Sequence, residues 1–289
     1  MIGWLDELRL EPGPPFLAMG THALQLDQWL VVDTDREVDL ARKGELLDTK
    51  RDVVFAAHSG ADDACAELLE SVREWLADSG IDLPALPGDE HPLIEAARIV
   101  QEDLAVLHNI GGEWVLTAGA ICFPTHWCIA DKIGLPLAGV HEPVAHYESD
   151  LRVKVDRFHD RLSADRPVWR RNWIVTPTRE LHLPQRGGPS TVDLTNARIT
   201  ISADGSPMWI RSERQTLRRL ARTGAIVFTI RIQRAPLGVL LERPDLAARM
   251  LTSTRSWDGH KRMYSSTGGA LDQLNAWLEG VAARSNPAP

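Results

Sequence analysis

The chain has 289 residues, of which 44% are hydrophobic and 25% charged, and a formal net charge of −8. That composition belongs to a folded chain with a core, long enough for one large domain or two small ones, and not to a disordered one. Residues 1–110 carry 23 acidic and 8 basic side chains, while residues 111–289 carry 17 and 24; an acidic half of this size argues against a nucleic-acid binder, which presents a basic domain.

No apolar run approaches the roughly 18 residues that cross a bilayer, so no membrane contact is expected. The opening Met1-Ile2-Gly3-Trp4 turns acidic without a signal-peptide pattern, and a cytoplasmic location is the expectation. Cys65, Cys122 and Cys128 are odd in number, which speaks against a disulfide framework. They are also too few for the four thiolates of a ferredoxin-type cluster.

Pro12, Pro14 and Pro15 punctuate the first 35 residues, which end in Trp29-Leu30-Val31-Val32, an apolar run read as a short strand. Helical spacing follows from Asp39 to Leu47. It is clearest from Asp62 to Asp78, where Cys65, Leu68, Leu69, Val72, Trp75 and Leu76 form a stripe. Glu67, Glu70 and Glu74 fall off that stripe and are expected in solvent. After Ser79-Gly80 and a loop, a helix opening at Pro92 is expected to reach Leu104. Residues 105–110 and 113–123 read as strands joined at Gly111-Gly112, a hairpin signal. A turn or short helix over 125–133 leads through Gly134-Leu135-Pro136 to a helix over 147–162, with Leu151, Val155, Phe158 and Leu162 on one side. Residues 168–177 have strand character, and 183–200 form a loop. Residues 207–220 and 225–233 make a long hairpin around Thr223-Gly224, and helices near 237–251 and 269–284 close the chain. Strands arriving in hairpins predict an α+β fold with a largely antiparallel sheet, taken as one domain over 1–289.

Dinucleotide loops, Walker lysine loops, HExxH and GxSxG are absent, which removes most of the case for nucleotide binding and serine hydrolysis. Cys122, His126 and Cys128 lie within seven residues, but a zinc site needs a fourth ligand, and packing cysteines are the plainer reading. His141 follows an apolar segment and precedes Pro143, which fixes the local backbone. An imidazole there suits haem, another metal or acid–base work, with His146 a nearby competitor, while His182, between Leu181 and Leu183, could equally be a satisfied core histidine. The segment Arg211–Arg219 is unusual. Strand alternation puts Arg211, Glu213, Gln215 and Arg219 on one face and Ser212, Arg214, Thr216 and Arg218 on the other, with neither face apolar. Such a strand is either a solvated edge or the wall of a polar cavity, where arginine offers a planar fork to carboxylates.

Several pieces together resemble one family. They are Cys122-Phe123-Pro124 with Trp127; Lys132-Ile133-Gly134 with Pro136-Leu137; His141 with Pro143-Val144; Val168-Trp169-Arg170 with Asn172-Trp173; Leu181-His182; and Arg211 with Glu213–Leu220. In order and spacing they are similar to the haem-dependent oxidative N-demethylases, over about residues 105–235. The resemblance implies a PAS-like antiparallel sheet with surrounding helices forming a haem b pocket. It also implies O2-dependent demethylation of a small secondary amine such as dimethylamine, giving a primary amine and formaldehyde. Electrons would come from reductase subunits carrying FMN, a 2Fe–2S cluster and NADPH.

On that reading His141 is the expected iron ligand and His182 the reserve. Lys132, Arg211 and Arg218 are expected around the haem. Arg211, Arg214 and Glu213 are expected at the reacting centre, with Glu213 holding a cationic amine. A haem-binding PAS-type sensor or ligand-binding module without turnover is the alternative. Relatives often carry a small polar residue or glycine where His126 stands, and a proline where Ala145 stands, so the pocket of this chain can differ from theirs. The basic surplus falls where the resemblance lies: residues 150–235 hold 17 basic and 8 acidic side chains.

Overall fold

A hairpin of two eleven-residue strands forms the middle of the fold. A computed structural model describes residues 2–12, 20–83, 88–141, 152–185, 199–257 and 270–285. In chain order these form β1 (His22–Ala23), α1 (Arg36–Thr49), α2 (Arg51–Val54), β2 (Phe55–Ala57), α3 (Asp62–Asp78), α4 (Pro92–Ile99), β3 (Asp103–Ile110) and β4 (Glu113–Ala120). There follow α5 (Leu137–Val140), α6 (Arg152–Arg161), β5 (Val168–Thr176), β6 (Trp209–Arg219), β7 (Ile226–Pro236), α7 (Pro244–Arg255) and α8 (Leu271–Ala282). The strands make one antiparallel sheet in the order β1-β5-β6-β7-β3-β4-β2. The fold is therefore α+β. No helix among the described residues is long and apolar enough to cross a membrane.

Three hydrophobic clusters fix the helices on this sheet. α1, α3 and α4 pack with Trp29, Leu104, Val106 and Val227. α7 and α8 pack with Trp173, Val175 and Ile210 near one end of β5 and β6. Leu137 of α5, with Val155 of α6 and Leu162 just beyond it, packs with Leu107, Trp114, Leu217 and Ile226. Gly111 and Gly112 turn the β3–β4 hairpin with φ of 64° and 92°, values that an L side chain adopts only under strain.

Several expectations change. Trp29–Val32 is not a strand: Val31 N–H donates to Glu102 Oε1 at 2.8 Å and Asp33 N–H to Gln101 Oε1 at 3.3 Å, so side chains replace a strand partner. The helix opening at Pro92 stops at Ile99 rather than Leu104, because Arg36 takes the Ile99 carbonyl and Lys43 takes those of Val100 and Glu102. Glu67 is buried, not solvated. Its carboxylate accepts the N–H groups of Arg222 and Thr223 and the Thr223 hydroxyl, each at 2.8 Å, and so holds the β6–β7 turn against α3. β6 is no solvated edge: it lies between β5 and β7, and its residues 210–212 and 214–217 are buried. Residues 147–151 of the expected helix, together with Pro143, Val144 and His146, lie outside the described residues.

Candidate functional site

Beyond β4 the chain leaves the sheet as an arm, residues 121–128, held by two buried charges. Asp103, at the start of β3 and 1% exposed, accepts Cys122 N–H on Oδ1 and Phe123 N–H on Oδ2, both at 2.8 Å. Burial pushes this carboxyl up to about 6, against the pull of Lys43, of the two backbone donors and of Arg211, so it is ionised at neutral pH. Arg211 of β6, 2% exposed, grips the far side of the arm. Its Nη2 donates to the carbonyls of Phe123 (2.8 Å), Leu181 (3.0 Å) and Pro124 (3.3 Å), its Nη1 to Glu180 O (2.9 Å) and its Nε to Thr125 Oγ1 (2.9 Å). Burial lowers this guanidinium to about 10, still charged at neutral pH. Arg211 thereby ties the arm to a second segment, residues 180–183, which pairs with it through a parallel bridge between Thr125 and Leu183.

Glu213, His182 and His126 lie around that pairing. The Thr125 hydroxyl donates to Glu213 Oε1 at 2.8 Å, while Gln215 Nε2 donates to Glu213 Oε2 at 2.8 Å. The half-buried carboxylate is thus steadied on both oxygens by neutral donors, with lone pairs left for a cationic partner. His182 Nδ1 lies 2.8 Å from Cys122 O. A carbonyl only accepts, so Nδ1 carries the proton. Burial lowers the His182 pKa, so the ring is neutral at pH 7 and Nε2 keeps its lone pair. That Nε2 is buried and has no hydrogen-bond partner among the described residues. His126 Nε2 is likewise buried without a partner among them, and burial and then Arg211 depress its pKa. Its φ of 60° is a left-handed conformation costing a non-glycine residue about 1–2 kcal/mol.

The structure separates the remaining expected residues. Arg214 and Arg218 project from the opposite face of β6, as alternation requires. Arg214 donates to Trp29 O (3.1 Å) and Gln28 O (2.6 Å) and stacks over Trp169, while Arg218 stacks over Trp29 with its Nε buried and without a partner among the described residues. Burial lowers both pKa values. These two arginines hold the N-terminal segment against the sheet and do not meet Glu213. His141, at the end of α5, forms a third neighbourhood. Its Nδ1 donates to Leu137 O at 2.8 Å, and burial takes its pKa down to about 4, with the charges of Arg170, His159 and Lys132 acting in the same direction. Lys132 Nζ lies 3.4 Å from Gly139 O, at the α5 turn.

Asp103, Thr125 and Gln215 did not stand out in the sequence as site residues. The one available signal for Asp103 was the polar triplet Gln101-Glu102-Asp103 between an apolar helix and an apolar strand. Among the described residues no group of three or more His, Cys, Asp or Glu side chains could hold a bare metal ion. Cys122 and Cys128 are buried free thiols, and Cys128 Sγ donates to Val53 O at 3.2 Å. Haem would ask less of a protein, because the porphyrin brings its own nitrogens and the chain would need to supply only an imidazole. His182, with Nδ1 fixed on a carbonyl and a free, buried Nε2, has the tautomer such a ligand needs. The family model described as "Haem-dependent oxidative N-demethylase, alpha subunit-like" matches residues 78–269, about two thirds of the chain, including the arm, β3 to β7 and every histidine discussed above.

Proposed function

The chain belongs to the haem-dependent oxidative N-demethylase alpha-subunit-like family, and from that premise we propose that it binds haem b on a PAS-like sheet and removes a methyl group from a small secondary amine. One oxygen atom of O2 leaves in formaldehyde and the other in water, with two electrons and two protons from a donor. When bound, haem supplies the O2 chemistry and the redox couple.

The observation that carries this reading is the imidazole of His182. Its tautomer is set by Cys122 O, and its Nε2 is the kind of buried, unpartnered nitrogen that an iron satisfies. His141 is the second candidate, because its Nδ1 is held the same way by Leu137 O, with Lys132 and Arg170 beside it for haem carboxylates. Glu213 receives the ammonium form of the amine, which a carboxylate binds better than any neutral group. Thr125 and Gln215 fix the direction of that carboxylate. Arg211 acts by holding the arm and the 180–183 segment in register, since its donors end on backbone carbonyls and the Thr125 hydroxyl.

Electrons enter from partner subunits carrying FMN, a 2Fe–2S cluster and NADPH. This fits a chain with three cysteines, all buried free thiols. The purified protein, loaded with haem and given a reductase system, O2 and dimethylamine, is expected to release formaldehyde in proportion to amine consumed. Haem binding with neither formaldehyde nor an amine-induced spectral change would favour a sensor without turnover.

A further inference from the structure

The hydrogen bonds of Asp103 and His182 end on the two sides of one peptide group. Phe123 N–H donates to Asp103 Oδ2 at 2.8 Å, and the carbonyl of that same peptide, Cys122 O, accepts from His182 Nδ1 at 2.8 Å. We propose that Asp103 is a positioning residue that sets the tautomer and basicity of His182 through the Cys122–Phe123 peptide.

A carboxylate–histidine pair normally works by direct contact. There the acid orients the ring and makes its far nitrogen a stronger donor to a metal. Here a peptide stands between them. A negative charge at the N–H end draws the peptide's electrons toward its oxygen, so Cys122 O accepts more strongly and His182 Nδ1–H is pulled further toward it. Hydrogen bonds in series reinforce one another in this way, most of all where water is excluded. The setting is dry: Asp103 is 1% exposed and Cys122 is fully buried. Asp103 Oδ1 holds Cys122 N–H as well, so the peptides on both sides of the Cys122 Cα are pinned and the carbonyl cannot swing away from the ring. Arg211 fixes the next two carbonyls, of Phe123 and Pro124, from the other side. The metal-tuning consequence rests on the haem reading; the coupling between Asp103 and His182 does not.

The test is Asp103→Asn, which keeps the size, removes the charge and leaves one backbone N–H facing an amide that donates. Nitrogen-15 spectra of histidine-labelled protein without haem are expected to show His182 as the Nδ1–H tautomer in the unaltered chain. In Asp103→Asn the two ring-nitrogen signals should move toward each other as that tautomer loses its preference. In the haem-loaded protein, retention should weaken about ten-fold, at the lower end of what outer-shell changes cause. Unmoved His182 signals in a folded Asp103→Asn protein overturn the proposal. If Asp103→Asn does not fold, Asp103→Glu replaces it: the longer arm displaces the peptide but keeps the charge, so the Nδ1–H tautomer persists with shifted signals, and unshifted signals overturn the coupling. A His182→Ala chain that retains haem with an unchanged spectrum sinks the ligand assignment alone, because the nitrogen spectra still report on the relay.

Discussion

Replacing Arg211 by Met tests whether this guanidinium braces the arm or is available to a ligand. The substitution keeps most of the volume and removes every donor. Four backbone carbonyls, those of Phe123, Pro124, Glu180 and Leu181, then lose this donor, as does the Thr125 hydroxyl, although Pro124 O keeps Leu183 N–H and Thr125 keeps Glu213. A hydrogen bond to a charged group contributes about 1.5–3 kcal/mol net, but five from one group do not add, and removing the arginine also relieves its own desolvation. Removing one member of a buried charged set costs about 3–5 kcal/mol, so a loss near 4 kcal/mol is expected. Out of a total of about 5–15 kcal/mol, that is large. Urea unfolding at pH 7, followed by circular dichroism, should show a lower midpoint with little change in slope. Arg211→Lys keeps the charge but lacks the planar fork, and should recover less than half of the loss. A loss below about 1 kcal/mol for Arg211→Met would refute the bracing role and return Arg211 to the pool of groups available for haem carboxylates.

Three further outcomes follow from individual contacts. The His141 ring, at about 4 in the folded chain against 6.5 unfolded, stays neutral where the unfolded chain takes up a proton. Its contribution is present above pH 6.5 and lost as pH falls toward 4. His141→Gln should therefore gain on the unaltered chain by at most about 3 kcal/mol between pH 7 and pH 4. Asp103, raised to about 6, slopes the opposite way in that window, so the comparison must be made between the two chains rather than on one pH curve. Glu67→Gln leaves a donating amide against the N–H groups of the β6–β7 turn and should cost about 2 kcal/mol in thermal unfolding, without altering a haem spectrum. Glu213→Gln should raise KM for the amine at least about ten-fold, equivalent to about 1.4 kcal/mol, with haem content unchanged; an unmoved KM removes Glu213 from amine binding.

Much of this fold is legible in the sequence because its helices and strands are strongly periodic. The stripe from Cys65 to Leu76, the Gly111-Gly112 turn and the long hairpin about Gly224 read directly from spacing. Elements held by distant side chains do not. Trp29–Val32 looks like a strand, yet its backbone is satisfied by Glu102 and Gln101, some seventy residues away. Glu67 looks solvated, because nothing near it in the chain reveals that a turn at 222–223 arrives there. Alternation along β6 correctly separates Arg211 and Glu213 from Arg214 and Arg218, but the pattern cannot say what each face meets. Nor does spacing reveal that Asp103 and His182 share one peptide, since that contact joins β3 to a segment some eighty residues further on.

The most direct measurement is the absorption spectrum of the purified, haem-supplemented protein, oxidised and reduced, beside the same spectra of His182→Ala and His141→Ala. A Soret band in the unaltered chain that survives His141→Ala and is lost or shifted in His182→Ala is the predicted result. A chain that takes up no haem at all would contradict the account.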